Sequence, residues 1–304
     1  MNYTPTVQTT AREAGAAILT PGGVCATLAL DFARDAASGR TVLAASSQEP
    51  PLRVVRAFPL ADGAALAHLH NVSGGLLGGD HLTLSVNAGA GASVQLTTTG
   101  ATRIYRPRAG AAETTQANDI RVAEDALLEY LPDPLIPFAG ARYAQRTSIH
   151  LAHGAGLFWW EIVAPGREAR GEVFQYERLE MKTDLIANGR LIAAERLRLE
   201  PRNHALASLA RLGPYHYWAT FYICRVGLDA GTWLTTETHL REVATQLSRP
   251  GESLWGISTL VADGLVVRGV ARRGRDVIAG LHAAWREAKL RLYGREAIPP
   301  RKVN

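Results

Sequence analysis

Cysteine is scarce: Cys25 and Cys224 are the two in 304 residues. They lie far apart and form no C-x-x-C, so neither a disulfide framework nor a zinc knuckle is expected, and a reducing cytoplasm is the simplest compartment. No apolar run reaches the roughly 18 residues a membrane-crossing helix needs. Residues 1–20 carry Arg12 and Glu13 and lack a continuous apolar stretch, which argues against a secretory signal. Catalytic signatures are missing too. The glycine-rich stretch at 73–80 is followed by no Lys-Ser/Thr and opens no helix pattern, so the P-loop and dinucleotide-binding readings fail. There is no H-E-x-x-H and no G-x-S-x-G elbow, and Asp80, Glu129, Asp133, Glu161 and Glu172 show no paired acid–base spacing. A hydrolase would need a nucleophile beside a base that only folding brings together.

What is present is glycine, 29 residues of it, with frequent β-branched residues and a net charge of +5. The arginines are spread along the chain and form no basic stripe with interleaved aromatics, so an acidic protein partner is expected rather than nucleic acid. Ala26, Leu28, Leu30 and Phe32 alternate with polar or small residues as a half-buried strand does. Further short strands are expected over 40–45, 52–58, 64–72, 82–86, 93–99, 120–122, 127–131, 146–151 and 157–163. Asn188-Gly189 and Asp263-Gly264 read as type I′ hairpin turns between strands. The period changes only late: Ile278, Leu281, Trp285, Ala288 and Leu292 mark one face of a helix stopped by Gly294, and Leu240, Val243 and Leu247 mark another over 236–247. The fold class is mainly β with two α-helices in the C-terminal third. Residues 1–22 read as a mobile tail, and no linker divides 23–304, which is taken as one domain.

Three local features bear on chemistry. Ser73-Gly74-Gly75-Leu76-Leu77-Gly78-Gly79-Asp80 reads as a sharp bend that delivers Asp80 and His81 to the start of a strand. His68 and His70 stand two apart on a strand and face the same way, a possible zinc or nickel pair without a third ligand at fixed spacing. Glu161 closes the run Leu157-Phe158-Trp159-Trp160, so it holds a carboxylate beside aromatic surface. Such a group costs several kcal/mol to bury unless paired or metal-bound, and Arg167 or Arg170 is the plain salt-bridge partner.

The bend, together with Thr97-Thr98-Thr99-Gly100-Ala101-Thr102-Arg103-Ile104-Tyr105, Leu131-Pro132-Asp133-Pro134-Leu135-Ile136-Pro137-Phe138-Ala139-Gly140-Ala141-Arg142-Tyr143, Trp160-Glu161-Ile162-Val163-Ala164-Pro165-Gly166-Arg167 and the terminal Pro300-Arg301-Lys302, resembles the UreD (UreH) family of urease accessory proteins. Ser73 stands where members often carry proline, and Val303 where they often carry an aromatic. The resemblance covers residues 24–302. It implies a stacked, β-helix-like arrangement of short strands and a non-enzymatic maturation factor. Such a factor joins a UreF-type helical accessory protein and a UreG-type nickel-binding GTPase on urease apoprotein and helps deliver nickel. No tightly bound cofactor is implied, only nickel in transit, and within the family blocks Asp80 and Glu161 are the residues expected to face its route. The alternative is a β-rich protein-binding module with no metal role.

Overall fold

The computed structural model describes residues 23–300, so the tail expected at 1–22 lies outside the described residues, as do Arg301, Lys302 and Val303. In chain order the strands begin with Cys25–Arg34 (β1), Thr41–Gln48 (β2), Leu52–Arg53 (β3), Ala57–Pro59 (β4), Ala65–Asn71 (β5) and His81–Ala88 (β6). Next come Ser93–Thr98 (β7), Thr102–Ile104 (β8), Thr114–Val122 (β9), Leu127–Tyr130 (β10), Leu135–Pro137 (β11), Arg142–Leu151 (β12) and Gly156–Val163 (β13). Arg178–Ala187 (β14), Arg190–Leu199 (β15) and Tyr217–Arg225 (β16) precede the helix Ala230–Leu247 (α1). Ser253–Thr259 (β17), Gly264–Ala271 (β18) and the helix Gly274–Tyr293 (α2) complete the chain.

These strands make two sheets. One runs β15-β14-β12-β9-β6-β1-β2, and the other runs β17-β18-β16-β13-β10-β7-β5-β3. From β5 to β14 the chain alternates between them, apart from the short strands β8 and β11, which pair with each other in the second sheet, and places successive strands parallel beside the last one laid in that sheet. Antiparallel hairpins finish the edges, β1 with β2 and β14 with β15. In-register parallel pairing aligns equivalent positions into rows across a sheet. Val86, Ile120, Ile149 and Leu185 form one such row, buried against Leu96, Leu128, Leu157 and Trp159 of the facing sheet. A second apolar cluster at the other end of the strands gathers Leu82, Ile104, Tyr143, Leu179 and Met181.

The helices cover the outer face of the second sheet, where Phe158, Trp160 and Phe221 meet Leu240, Leu281 and Trp285. Asp229 caps α1 by accepting the Thr232 N–H at 2.9 Å, and Gly294 ends α2 in the left-handed region. One buried ion pair fixes α2 to the sheet: Lys289 Nζ lies 2.6 Å from Glu129 Oε1, and the Trp285 indole donates to Glu129 Oε2 at 2.7 Å. Burial pushes the Glu129 carboxyl up, and the Lys289 ammonium opposes that rise.

Several boundaries differ from the sequence reading. Strands β9 and β12 begin six and four residues before the expected 120 and 146, because their first inward positions are polar and break the apolar alternation. Strand β16 was not expected. Its run from Ala219 to Cys224 is buried on both faces, which erases the period of two. Asn188 and Gly189 both take positive φ as a type I′ turn requires, whereas at the second hairpin Asp263 alone does and Gly264 already belongs to β18.

Removing one member of the α2 pair should leave a buried charge. Lys289→Met is expected to cost about 3–5 kcal/mol in chemical denaturation. Adding Glu129→Gln, which still accepts the Trp285 N–H, should recover most of that loss.

Candidate functional site

Between the two apolar clusters, the inner face of the first sheet carries polar residues in two adjacent rows. Asn118, Thr147, Thr183 and Glu195 are register neighbours across β9, β12, β14 and β15; Gln116, Gln145 and Met181 form the next row. Asn118, Gln145, Thr147 and Thr183 are buried. Buried amides and hydroxyls need partners, and Asn118, Gln145 and Thr147 are tied to one another and to Gln116. Gln116 donates to Asn118 at 2.9 Å, Asn118 to Thr147 at 2.9 Å, and Gln145 to Thr147 at 3.3 Å. The Tyr143 hydroxyl donates to Gln145 at 3.0 Å.

Gln145 also donates to Glu161 Oε1, across the sandwich on β13. This bond replaces the salt bridge anticipated from sequence: Arg167 pairs with Glu172 instead, its Nε 2.8 Å from Glu172 Oε2. No arginine or lysine among the described residues forms an ion pair with Glu161. Its carboxyl is pushed up to about 7, first by burial and further by the Glu195 carboxylate, while the Gln145 hydrogen bond pulls the other way. The Trp159 indole N–H adds a smaller downward pull, although it falls short of hydrogen-bond geometry and has no partner. Glu161 is half-buried and borders a cavity of about 50 Å³. Burial and the same carboxylate push the phenols of Tyr130 and Tyr143 up.

A larger cavity of about 260 Å³ shares Thr102, Gln116 and Tyr130 with the first and reaches His70, Gly75 and Thr99. The glycine bend walls it. A Cβ on Gly78 would stand 2.3 Å from Pro107 Cα, so glycine there serves close approach rather than an unusual φ. Asp80 holds the bend: its Oδ1 accepts the Val24 N–H at 3.0 Å and its Oδ2 the Leu77 N–H at 2.7 Å. Asp80 is buried but lines neither cavity, so the structure does not bring it together with Glu161. His68 and His70 share a face of β5, with His68 edge-on to Phe58; burial, then His68, lowers the His70 pKa. Among the described residues no three His, Cys, Asp or Glu side chains converge to hold a metal ion.

The site residues missed by sequence reading are Gln116, Asn118, Tyr143, Gln145, Thr147, Thr183 and Glu195. Their signal was polar residues at every second position of β9 and β12, which single strands do not distinguish from solvent-facing ones.

The UreD urease accessory protein family model matches residues 24–304. The chain belongs to the UreD family. It is 48% identical over 276 residues to the urease accessory protein UreD of Herpetosiphon aurantiacus, covering 91% of this chain and 95% of that one. The UreD of Ralstonia nicotianae is 31% identical over 283 residues, 91% of this chain and 92% of its own. The UreD of Lysinibacillus sphaericus is 34% identical over 195 residues, covering 64% and 72%. The function is accordingly that of a urease accessory protein. No helix of the described residues is long and apolar enough to cross a membrane.

The raised Glu161 carboxyl has a pH consequence. A free glutamate titrates near 4.5 and this one near 7, so between those values the folded chain keeps a proton that the unfolded chain has released. The stability attached to this group therefore falls as pH rises through that window and levels off above it. Glu161→Gln removes that slope. Its stability relative to wild type should rise by on the order of 3 kcal/mol at most from the lower to the upper end, read by denaturant melts. Parallel curves for the two proteins would contradict the burial of this carboxyl.

Proposed function

We propose that this chain is a non-enzymatic, cytoplasmic urease maturation factor. It joins a UreF-type helical protein and a UreG-type nickel-binding GTPase on urease apoprotein, and the polar rows between its sheets conduct nickel. The observation that carries this reading is Glu161, a half-buried carboxylate held by an amide and lacking a cationic partner among the described residues. A divalent ion is the partner such a group lacks. Amide oxygens, hydroxyls and one carboxylate are donors a borderline cation such as Ni²⁺ accepts, and their dispersal along a row suits passage more than storage. A route must bind the ion well enough to admit it and weakly enough to release it. Nickel is thus cargo, and no resident cofactor is part of the account.

In this reading Asp80 serves the route one step removed, by holding the bend that walls the outer cavity, while Glu161 meets the ion. The two amide variants should behave differently. Glu161→Gln should fold, co-purify with urease and the accessory proteins, and yield urease with several-fold less nickel. Asp80→Asn keeps one acceptor where two N–H groups need one each, so its first effect should be a loss of about 1–3 kcal/mol in stability and less soluble complex. Fully nickel-loaded urease from the Glu161→Gln strain would leave a β-rich protein-binding module with no metal role as the better account.

A further inference from the structure

The polar rows do not stop at Glu161. On the first sheet Met181 neighbours Leu197, and on the second Glu161 neighbours Thr220. The first member of each pair lines the small cavity at Glu161; the second lines another cavity, of about 280 Å³. The two spaces are therefore one strand apart on both walls, ~4.8 Å.

A single cluster stands between them. Glu195, the last member of the Asn118–Thr147–Thr183 row, reaches from β15 to the second sheet. Its Oε1 accepts from the Thr220 hydroxyl at 3.2 Å and its Oε2 from the Tyr222 hydroxyl at 2.5 Å. Arg268, next to Thr220 on β18, closes the cluster with Nη2 3.2 Å from Glu195 Oε2. The Arg268 side chain is 58% exposed and that of Glu195 27%, so here the buried row meets solvent. Leucines 197, 199, 206 and 212 wall the outer cavity, leaving this cluster as its polar floor. On the inner side Trp159, itself 1% exposed, lines the Glu161 cavity, and its indole N–H pulls on the Glu161 carboxylate without meeting hydrogen-bond geometry. A cavity lined by Gln116, Asn118, Gln145 and Glu161 is polar enough to take water or a hydrated ion.

The geometry points to a second opening of the route between β15 and β16, with Glu195 as its outer cation-binding carboxylate and Arg268 as a displaceable latch. This rests on the reading that the Glu161 cavity carries nickel. A half-exposed arginine–carboxylate pair is weak enough to exchange. A divalent cation arriving from Glu161 finds Glu195, the Thr220 hydroxyl and the Tyr222 hydroxyl as oxygen donors, and the guanidinium swings into solvent. No bond to carbon changes; one cation replaces another at a carboxylate.

The full-length chain, co-expressed with urease and its accessory proteins, tests both parts. A Thr220→Cys reporter, with the exposed Cys25 changed to Ser, is treated with a small charged methanethiosulfonate reagent. Arg268→Ala should speed its modification by up to about fivefold, the factor that ~1 kcal/mol for such a pair gives. Equal rates with and without Arg268 overturn the latch. Nickel content of the urease produced then separates this inference from the reading beneath it. Loss of nickel with both Glu161→Gln and Glu195→Gln supports the second opening. Loss with Glu161→Gln alone removes the second opening and keeps the route. No loss with either removes the route and, with it, the opening. Should Glu195→Gln lower the yield of soluble complex, the labelling rates decide.

Discussion

Parallel strands stacked in register impose one constraint on everything else here: whatever points inward on one strand lies beside the same kind of residue on the next. For apolar residues this produces the Val86–Ile120–Ile149–Leu185 row and a dry core. For polar ones it produces a continuous hydrogen-bonded line, because an isolated buried amide or hydroxyl would leave donors and acceptors unmet. Asn118, Thr147 and Gln145 satisfy one another along that line, and the chain acquires a polar seam through an otherwise apolar sandwich. Replacing the seam with leucine and valine would make a simpler core. Its presence, and its termination on carboxylates at 161 and 195, is what requires a functional explanation.

The remaining structure holds the seam in place. Aromatic packing and the Glu129–Lys289–Trp285 contacts press α2 onto the second sheet, on the face opposite Glu161. The glycine bend, tied by Asp80, lets residues 74–76 approach the 103–107 segment and wall the larger cavity. Membership of the UreD family supplies the biological setting, and the seam supplies a physical reason for what such an accessory protein contributes.

Much of this was legible in the sequence. The period of two around Leu28 and Leu84, the turn at Asn188-Gly189 and the 3–4 spacing of Leu281, Trp285, Ala288 and Leu292 each report a backbone geometry directly. The ordered family blocks drew attention to the bend and to Glu161. The seam was not legible, because Gln116 and Gln145 occupy inward positions yet look like solvent-facing residues until neighbouring strands are known. The role of Asp80 was hidden for a related reason: nothing local says whether an acid after glycines meets an ion or, as here, two backbone N–H groups. Glu161 drew attention to Arg167 by proximity along the chain, but Arg167 turns to Glu172, which the 3-10 turn at Glu168–Arg170 brings closer.

The central claim is that the seam itself, and not only its acids, conducts the ion. It is tested most directly by plugging it without touching a charge. Asn118→Leu with Thr147→Val fills the middle of the seam with apolar atoms of similar size. The account predicts a chain that loses about 1–3 kcal/mol because Gln116 no longer has its acceptor, yet still co-purifies with urease and the accessory proteins and yields urease poor in nickel. Urease with its normal nickel content from that strain would contradict it.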